Sequence, residues 1–128
     1  MALTDAGLTQ VVRAIGGETP TFFNNTNSAI AIGTSSTAFS AGQTALVAET
    51  GRRSMEATFP SRTNLVVVYK SIFATTDGNN ASTVNEWGIL NSTTTGGTLL
   101  SRKVENLGVK SSAQSWTVTC TISYVLGT

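Results

Sequence analysis

The sequence predicts a mainly β fold: one antiparallel β-sandwich, or a small barrel, with a single short N-terminal helix. Three observations carry that reading. In SWTVTCTISYVL, near the C-terminal end, Trp116, Val118, Cys120, Ile122 and Tyr124 point one way while Thr117, Thr119, Thr121 and Ser123 point the other. Strict alternation over that length marks an antiparallel strand with one buried and one wetter face. Upstream, β-branched segments recur between clusters of Gly, Pro, Asn and Asp, with no repeated helix between them. Helical spacing is confined to the first segment, where Leu8, Val11, Val12 and Ile15 fall at i, i+3, i+4 and i+7.

Taken in order, residues 1–17 form a helix or arm. Thr4 suits the N-cap, Asp5 the positive end, and Gly16-Gly17 the stop. Gly7 weakens this helix by about 1 kcal/mol relative to Ala, so it depends on docking. Its apolar face has two readings, one against its own sheet and one against a neighbouring subunit. FFNNTNS is a turn-rich loop opened by Phe22 and Phe23. Ala29 to Thr34 reads as a short strand ending at Gly33. The long connection SSTAFSAGQTALVAETGRR follows, with one helical turn expected through Thr44 to Ala48. Arg53 to Phe59 is expected as a strand stopped by Pro60, and Asn64 to Ala74 has the β-branched density of a central strand. TTDGNNAST is a turn signal. Val84 to Asn91 and Thr98 to Glu105 then flank a polar, glycine-containing loop. The whole chain, 1–128, is expected to be one domain, with the sandwich spanning 29–126.

Charge narrows the function classes. Formal net charge is +1 and charged residues make up 12%, against about 25% in an average globular chain. The eight Lys and Arg residues are scattered, so no footprint for nucleic acid is present. Serine and threonine exceed a quarter of the chain, and solubility rests on hydroxyls and amides more than on ions. Such a near-neutral surface suits a protein that works within an assembly. MALTDAGLTQVVRAIGG has neither a basic n-region nor a continuous apolar run, so use without a standard export signal is expected. No segment approaches the about 20 apolar residues of a membrane helix. The lone Cys120 excludes an intrachain disulfide and reads as a buried, inert thiol.

Catalytic chemistry finds little purchase. Histidine is absent, which removes the commonest general base, the Ser-His-Asp and Cys-His arrangements and most zinc sites. The seven acids, Asp5, Glu18, Glu49, Glu56, Asp77, Glu86 and Glu105, show no spacing that pairs two across a cleft. Calcium loops, phosphate-binding glycine loops and dinucleotide fingerprints are missing. The expectation is no enzyme, no cofactor, no metal and no small-molecule substrate. Glu86, in EWGILNSTTTGGTLLSR, is read as structural, facing Arg102 or Lys103 across a hairpin. A companion pair joins Glu49 to Arg52 or Arg53. Exposed pairs of this kind contribute about 0.2–1 kcal/mol, so Glu86→Gln is expected to lower the melting temperature only modestly.

The ordered set AIAIGTSSTAFSAGQTALVAETGRR, a long apolar strand, NEWGILNSTTTGGTLLSRKV and SWTVTCTISY resembles a group of small tailed-bacteriophage virion proteins. The residues that carry the resemblance are Gly33-Thr34, then Thr44, Leu46, Glu49 and Arg52. Glu86, Gly88, Ile89, Leu90 and Asn91 follow, and Leu99 to Arg102 close the set. It covers roughly Ala29 to Tyr124. The resemblance implies a β-sandwich that serves as a particle component, as a head decoration or cement protein or as a tail, baseplate or fibre module. Without a fibre-like extension or repeat, the stand-alone use on the capsid surface is favoured, with assembly in the host cytoplasm. The partners it implies are the major capsid protein and copies of the chain itself, as trimer or dimer. Val11, Val12, Ile15, Phe22, Phe23 and Phe39, outside the regular strands, are the candidate contact residues. A carbohydrate-binding module using Trp87 or Trp116 is a further alternative.

Overall fold

The computed structural model describes residues 1–125. Helix α1 (Asp5–Ile15) precedes seven strands: β1 (Ala29–Gly33), β2 (Glu49–Ser54), β3 (Ser61–Thr63), β4 (Val66–Phe73), β5 (Val84–Leu90), β6 (Leu99–Gly108) and β7 (Trp116–Ser123). They form a four-stranded sheet in the order β2-β1-β5-β6 and a three-stranded sheet in the order β3-β4-β7. Every pairing is antiparallel. The molecule is thus the mainly β sandwich with one N-terminal helix that the alternation patterns predict. The expected end of the sandwich at residue 126 falls outside the described residues.

The main core lies between the sheets. Ile30, Ile32, Trp87, Ile89 and Leu100 from one sheet meet Tyr69, Phe73, Val118, Cys120 and Ile122 from the other. β1 is buried at all five positions, because its second face is covered too. There Ala31, Leu90 and Leu99 pack with Leu46 of the long connection in a separate small cluster. β7 shows the expected alternation, with Val118, Cys120 and Ile122 buried and the threonines exposed. Burial raises the pKa of the Cys120 thiol, outweighing the opposite pull of the N-terminal amine and Lys103. Native protein at pH 8 should therefore leave Cys120 unmodified by a thiol-disulfide reagent, with full reaction only after denaturation. Rapid labelling of the folded form would contradict this burial.

Two local expectations are corrected. Thr44 to Ala48 forms no helical turn; the amides of Val47 and Ala48 are taken by the Glu86 carboxylate instead. The strand expected over Arg53 to Phe59 is β2, which begins at Glu49 and ends at Ser54. Residues 55–60 turn, with a cis Phe59–Pro60 bond and Asn25 Nδ2 donating to the carbonyls of Glu56 and Phe59 at 2.9 and 2.6 Å. The chain then enters β3, an all-exposed strand whose polar residues gave no periodic signal.

α1 starts where the sequence places it: the Thr4 hydroxyl accepts from the Gly7 N–H at 2.9 Å. Of the two readings of its apolar face, burial against its own sheet is not what is seen. Leu8, Val12 and Ile15 are 46%, 57% and 81% exposed, and the only buried helix residue is Gly7. Gly7 lies so close to β6 that an added Cβ would sit 2.6 Å from the Leu100 Cα. The preceding residues run along β6 as well. Leu3 bridges Ser101, the Thr4 N–H donates to the Leu100 carbonyl at 2.9 Å, and the Ser101 hydroxyl donates to the Ala2 carbonyl.

Candidate functional site

Glu86 and Arg102 sit on the outer face of the four-stranded sheet, beneath the long connection between β1 and β2. A register shift between Ile89 and Leu90 in the β5–β6 hairpin places Val104 opposite Glu86 and Arg102 opposite Gly88. Arg102 therefore reaches Glu86 diagonally, and its Nε donates to Oε2 at 2.6 Å. Lys103, the other expected partner, instead faces Trp87, with Nζ 5.8 Å from the ring centroid, and pairs with Glu105 at 3.3 Å.

Both side chains of the Glu86–Arg102 pair are 0% exposed, which corrects the expectation of a surface pair. The carboxylate also accepts from the Val47 N–H at 2.9 Å and the Ala48 N–H at 2.6 Å. Gly33 makes the room: a Cβ there would lie 2.5 Å from Glu86 Oε1. Arg102 Nη1 donates to Gln43 Oε1 at 3.2 Å, and Gln43 Nε2 donates in turn to the Ala38 carbonyl. With three donors on it and no exposed surface, this carboxylate is a latch for the connection. It offers no oxygen to a substrate.

The companion pair is found on Arg52. Its Nε and Nη2 meet the two carboxylate oxygens of Glu49 at 2.7 Å each, a bidentate arrangement. Arg52 Nη1 also donates to the carbonyls of Ser92 at 2.9 Å and Gly96 at 3.0 Å. One guanidinium thus ties the β5–β6 turn to the edge of β2. Asn91 finishes the closure, accepting from the Thr98 N–H at 2.6 Å and donating to the Thr21 carbonyl at 3.0 Å. Arg53 points elsewhere, to Asp77 at 3.4 Å.

Four of the six candidate contact residues come together. Val11 and Ile15 of α1, with Phe22 and Phe23 of the following loop, line a mostly apolar groove of about 320 Å³ floored by Tyr69, Leu100 and Tyr124. Phe23 is half-buried and packs on the main core, whereas Phe22 is 50% exposed. Val12 faces away, beside Leu8 and Arg13. Phe39 is separate, beside Met1, Ala2 and Arg102.

The sequence reading missed two features. Lys110 is buried, its Nζ donating to the Ala74 carbonyl at 2.7 Å and Asn79 Oδ1 at 2.8 Å, so it pins the β6–β7 connection to the β4–β5 loop. Nothing in a single lysine among small polar residues signals that. The second is a groove beside β7, lined by both tryptophans with Lys103, Glu105 and Leu107. Trp87 is itself buried, and so presents no open stacking platform. Among the described residues no group of three or more His, Cys, Asp or Glu side chains could hold a metal, and no helix is long and apolar enough to cross a membrane. No protein-family model matches the chain, and no curated protein is significantly similar to it.

Proposed function

We propose that the chain is a structural component of a tailed-bacteriophage particle, a decoration protein that bridges and stabilises neighbouring capsid subunits. The observation that carries this reading is the apolar groove at α1, walled by exposed Ile15 and Phe22 on an otherwise ion-poor, hydroxyl-rich surface. Exposed apolar groups gathered in one place mark contact surfaces more often than chance scatter does. The residues that resemble phage virion proteins supply the frame: Gly33, Glu49, Arg52, Glu86, Asn91 and Arg102 are the members of the buried latch and the turn clamp. Ile15 and Phe22 would anchor a contact of about 800 Å² per partner, the ordinary size for a specific interface. The major capsid protein, and other copies of this chain in a dimer or trimer, are the proposed partners.

Ile15→Ser and Phe22→Ser test the reading, since both side chains are exposed enough to leave the fold intact. Particles assembled with the doubly substituted protein should lose most of it on purification, while its melting temperature stays within a few degrees of the parent. Full occupancy of the variant on particles would refute these anchors. Absence of the parent protein from washed particles would refute the particle role itself. Copy number, read by densitometry of purified particles, separates a head protein present in many copies from a tail, baseplate or fibre part present in few.

A further inference from the structure

The two sheets of the sandwich have four edges, and three are guarded. β2 carries Glu49, Arg52 and Arg53 and is irregular at its pairing with β1. β3 is only three residues long and contains Arg62. β6 is bridged at Ser101 by Leu3 and bears Lys103 and Glu105 further along. Short strands, charges, irregularities and covering segments are the usual ways a protein prevents stray strand pairing. Among the described residues, β7 has none of these. It is eight residues long, WTVTCTIS, without a charge, a proline or a register shift.

The hydrogen-bond pattern shows which groups are open. The Tyr124 N–H donates to the Leu65 carbonyl at 2.8 Å, continuing the unbroken β4–β7 register. In an antiparallel pair the residues that exchange hydrogen bonds alternate with those that face away. The even-numbered residues of β7 therefore bond to β4. Thr117, Thr119, Thr121 and Ser123 turn their N–H and C=O groups outward, and no strand among the described residues lies there.

The space beside that edge is shaped for a strand. The sheet of β7 has one strand fewer than the sheet facing it. A groove of about 540 Å³ runs between the edge of β7 at Ser115–Thr119 and the side chains of Lys103, Glu105 and Leu107 on β6. Trp87 and Trp116 contribute apolar walls, and the indole N–H of Trp87 is buried without a partner. The only charges, Lys103 and Glu105, pair with each other at 3.3 Å, so the groove favours an uncharged occupant. From this geometry we infer that β7 is an acceptor edge for an extended segment of a partner chain, uncharged and apolar at alternate positions. The segment adds as a fourth strand, with backbone bonds supplying affinity and its inward side chains packing on the half-buried Trp116 beside Trp87. A second copy of β7 is the wrong occupant. Lys103, Glu105 and Leu107 of β6 stand across the groove from that edge, so the proposed occupant is a lone segment and not a strand backed by its own sandwich.

The inference stands independently of the particle role. Its test is hydrogen–deuterium exchange read by NMR on the full chain, with an acetylated, amidated peptide of alternating threonine and valine as the probe. The peptide should slow exchange at Thr117, Thr119, Thr121 and Ser123 by about tenfold or more and shift tryptophan emission. The same peptide N-methylated at alternate amides, with identical side chains and no edge donors, should do neither. Equal effects from both peptides, or none from either at millimolar concentration, would overturn the inference. So would protection of these amides by self-association without peptide.

Discussion

Replacing Glu86 with glutamine is expected to destabilise the protein by about 3–5 kcal/mol, because removing one partner leaves the Arg102 charge buried and uncompensated. Both side chains are fully enclosed. Glutamine keeps the shape but brings an NH₂ among donors: the Val47 N–H, the Ala48 N–H and Arg102 Nε all need an acceptor. The loss compares with a total stability of about 5–15 kcal/mol for a typical domain. Urea unfolding of the parent and the variant measures it. The double variant Glu86→Gln, Arg102→Met should recover part of the loss, since no unpaired charge then remains. A change below about 1 kcal/mol in the single variant would show that the pair behaves like an exposed one.

Gly7→Ala should also destabilise, by about 1–3 kcal/mol, although alanine is the better helix former by about 1 kcal/mol. The added methyl would meet the Leu100 Cα at 2.6 Å and the Leu100 and Leu99 carbonyl oxygens at 2.8 and 2.9 Å. Those are backbone atoms of a paired strand and have little room to move. Helix α1 must lift from β6, weakening the Thr4 and Leu3 contacts with it. Gly16→Ala at the helix end is the control: its nearest neighbour would be 3.5 Å away, and its effect should stay within about 0.5 kcal/mol. A Gly7→Ala protein as stable as its parent in thermal melts would mean the helix docks more loosely than its geometry requires.

These two sites show where sequence reasoning reached and where it stopped. The facing of each residue in strand β7 was legible, because burial of one face imposes a period of two on the side chains, although the strand stops at Ser123, short of Tyr124. The cap and both ends of α1 were legible because Thr4, Asp5 and Gly16 act locally. The docking face of α1 was not. Periodicity singles out the apolar stripe of Leu8, Val11, Val12 and Ile15, but close approach to a strand demands a missing side chain, and Gly7 reads in sequence as a weakness. The Glu86–Arg102 contact was legible as a pairing, since both lie in one hairpin. Its burial was not, because the cover comes from Gln43, Val47 and Ala48 in an aperiodic stretch. The same stretch misled the expectation of a helical turn: a side-chain acceptor took the amides that a helix would use. Of the contact candidates, Val11, Ile15, Phe22 and Phe23 converge because helix and loop are adjacent in the chain, while Phe39 lies too far along for sequence to place it.

The Glu86 latch also constrains the order in which the chain comes together. Arg102 is 16 residues from Glu86, but Ala48 and Val47 stand 38 and 39 residues from Glu86, and Gln43 stands 59 from Arg102. Long closures of this kind carry their entropic cost before any bond is made. Until the β5–β6 hairpin exists, nothing holds the carboxylate where the upstream amides can find it, and it stays hydrated. The connection is therefore expected to dock only after that hairpin has formed, when the carboxylate exchanges its water for the two upstream amides.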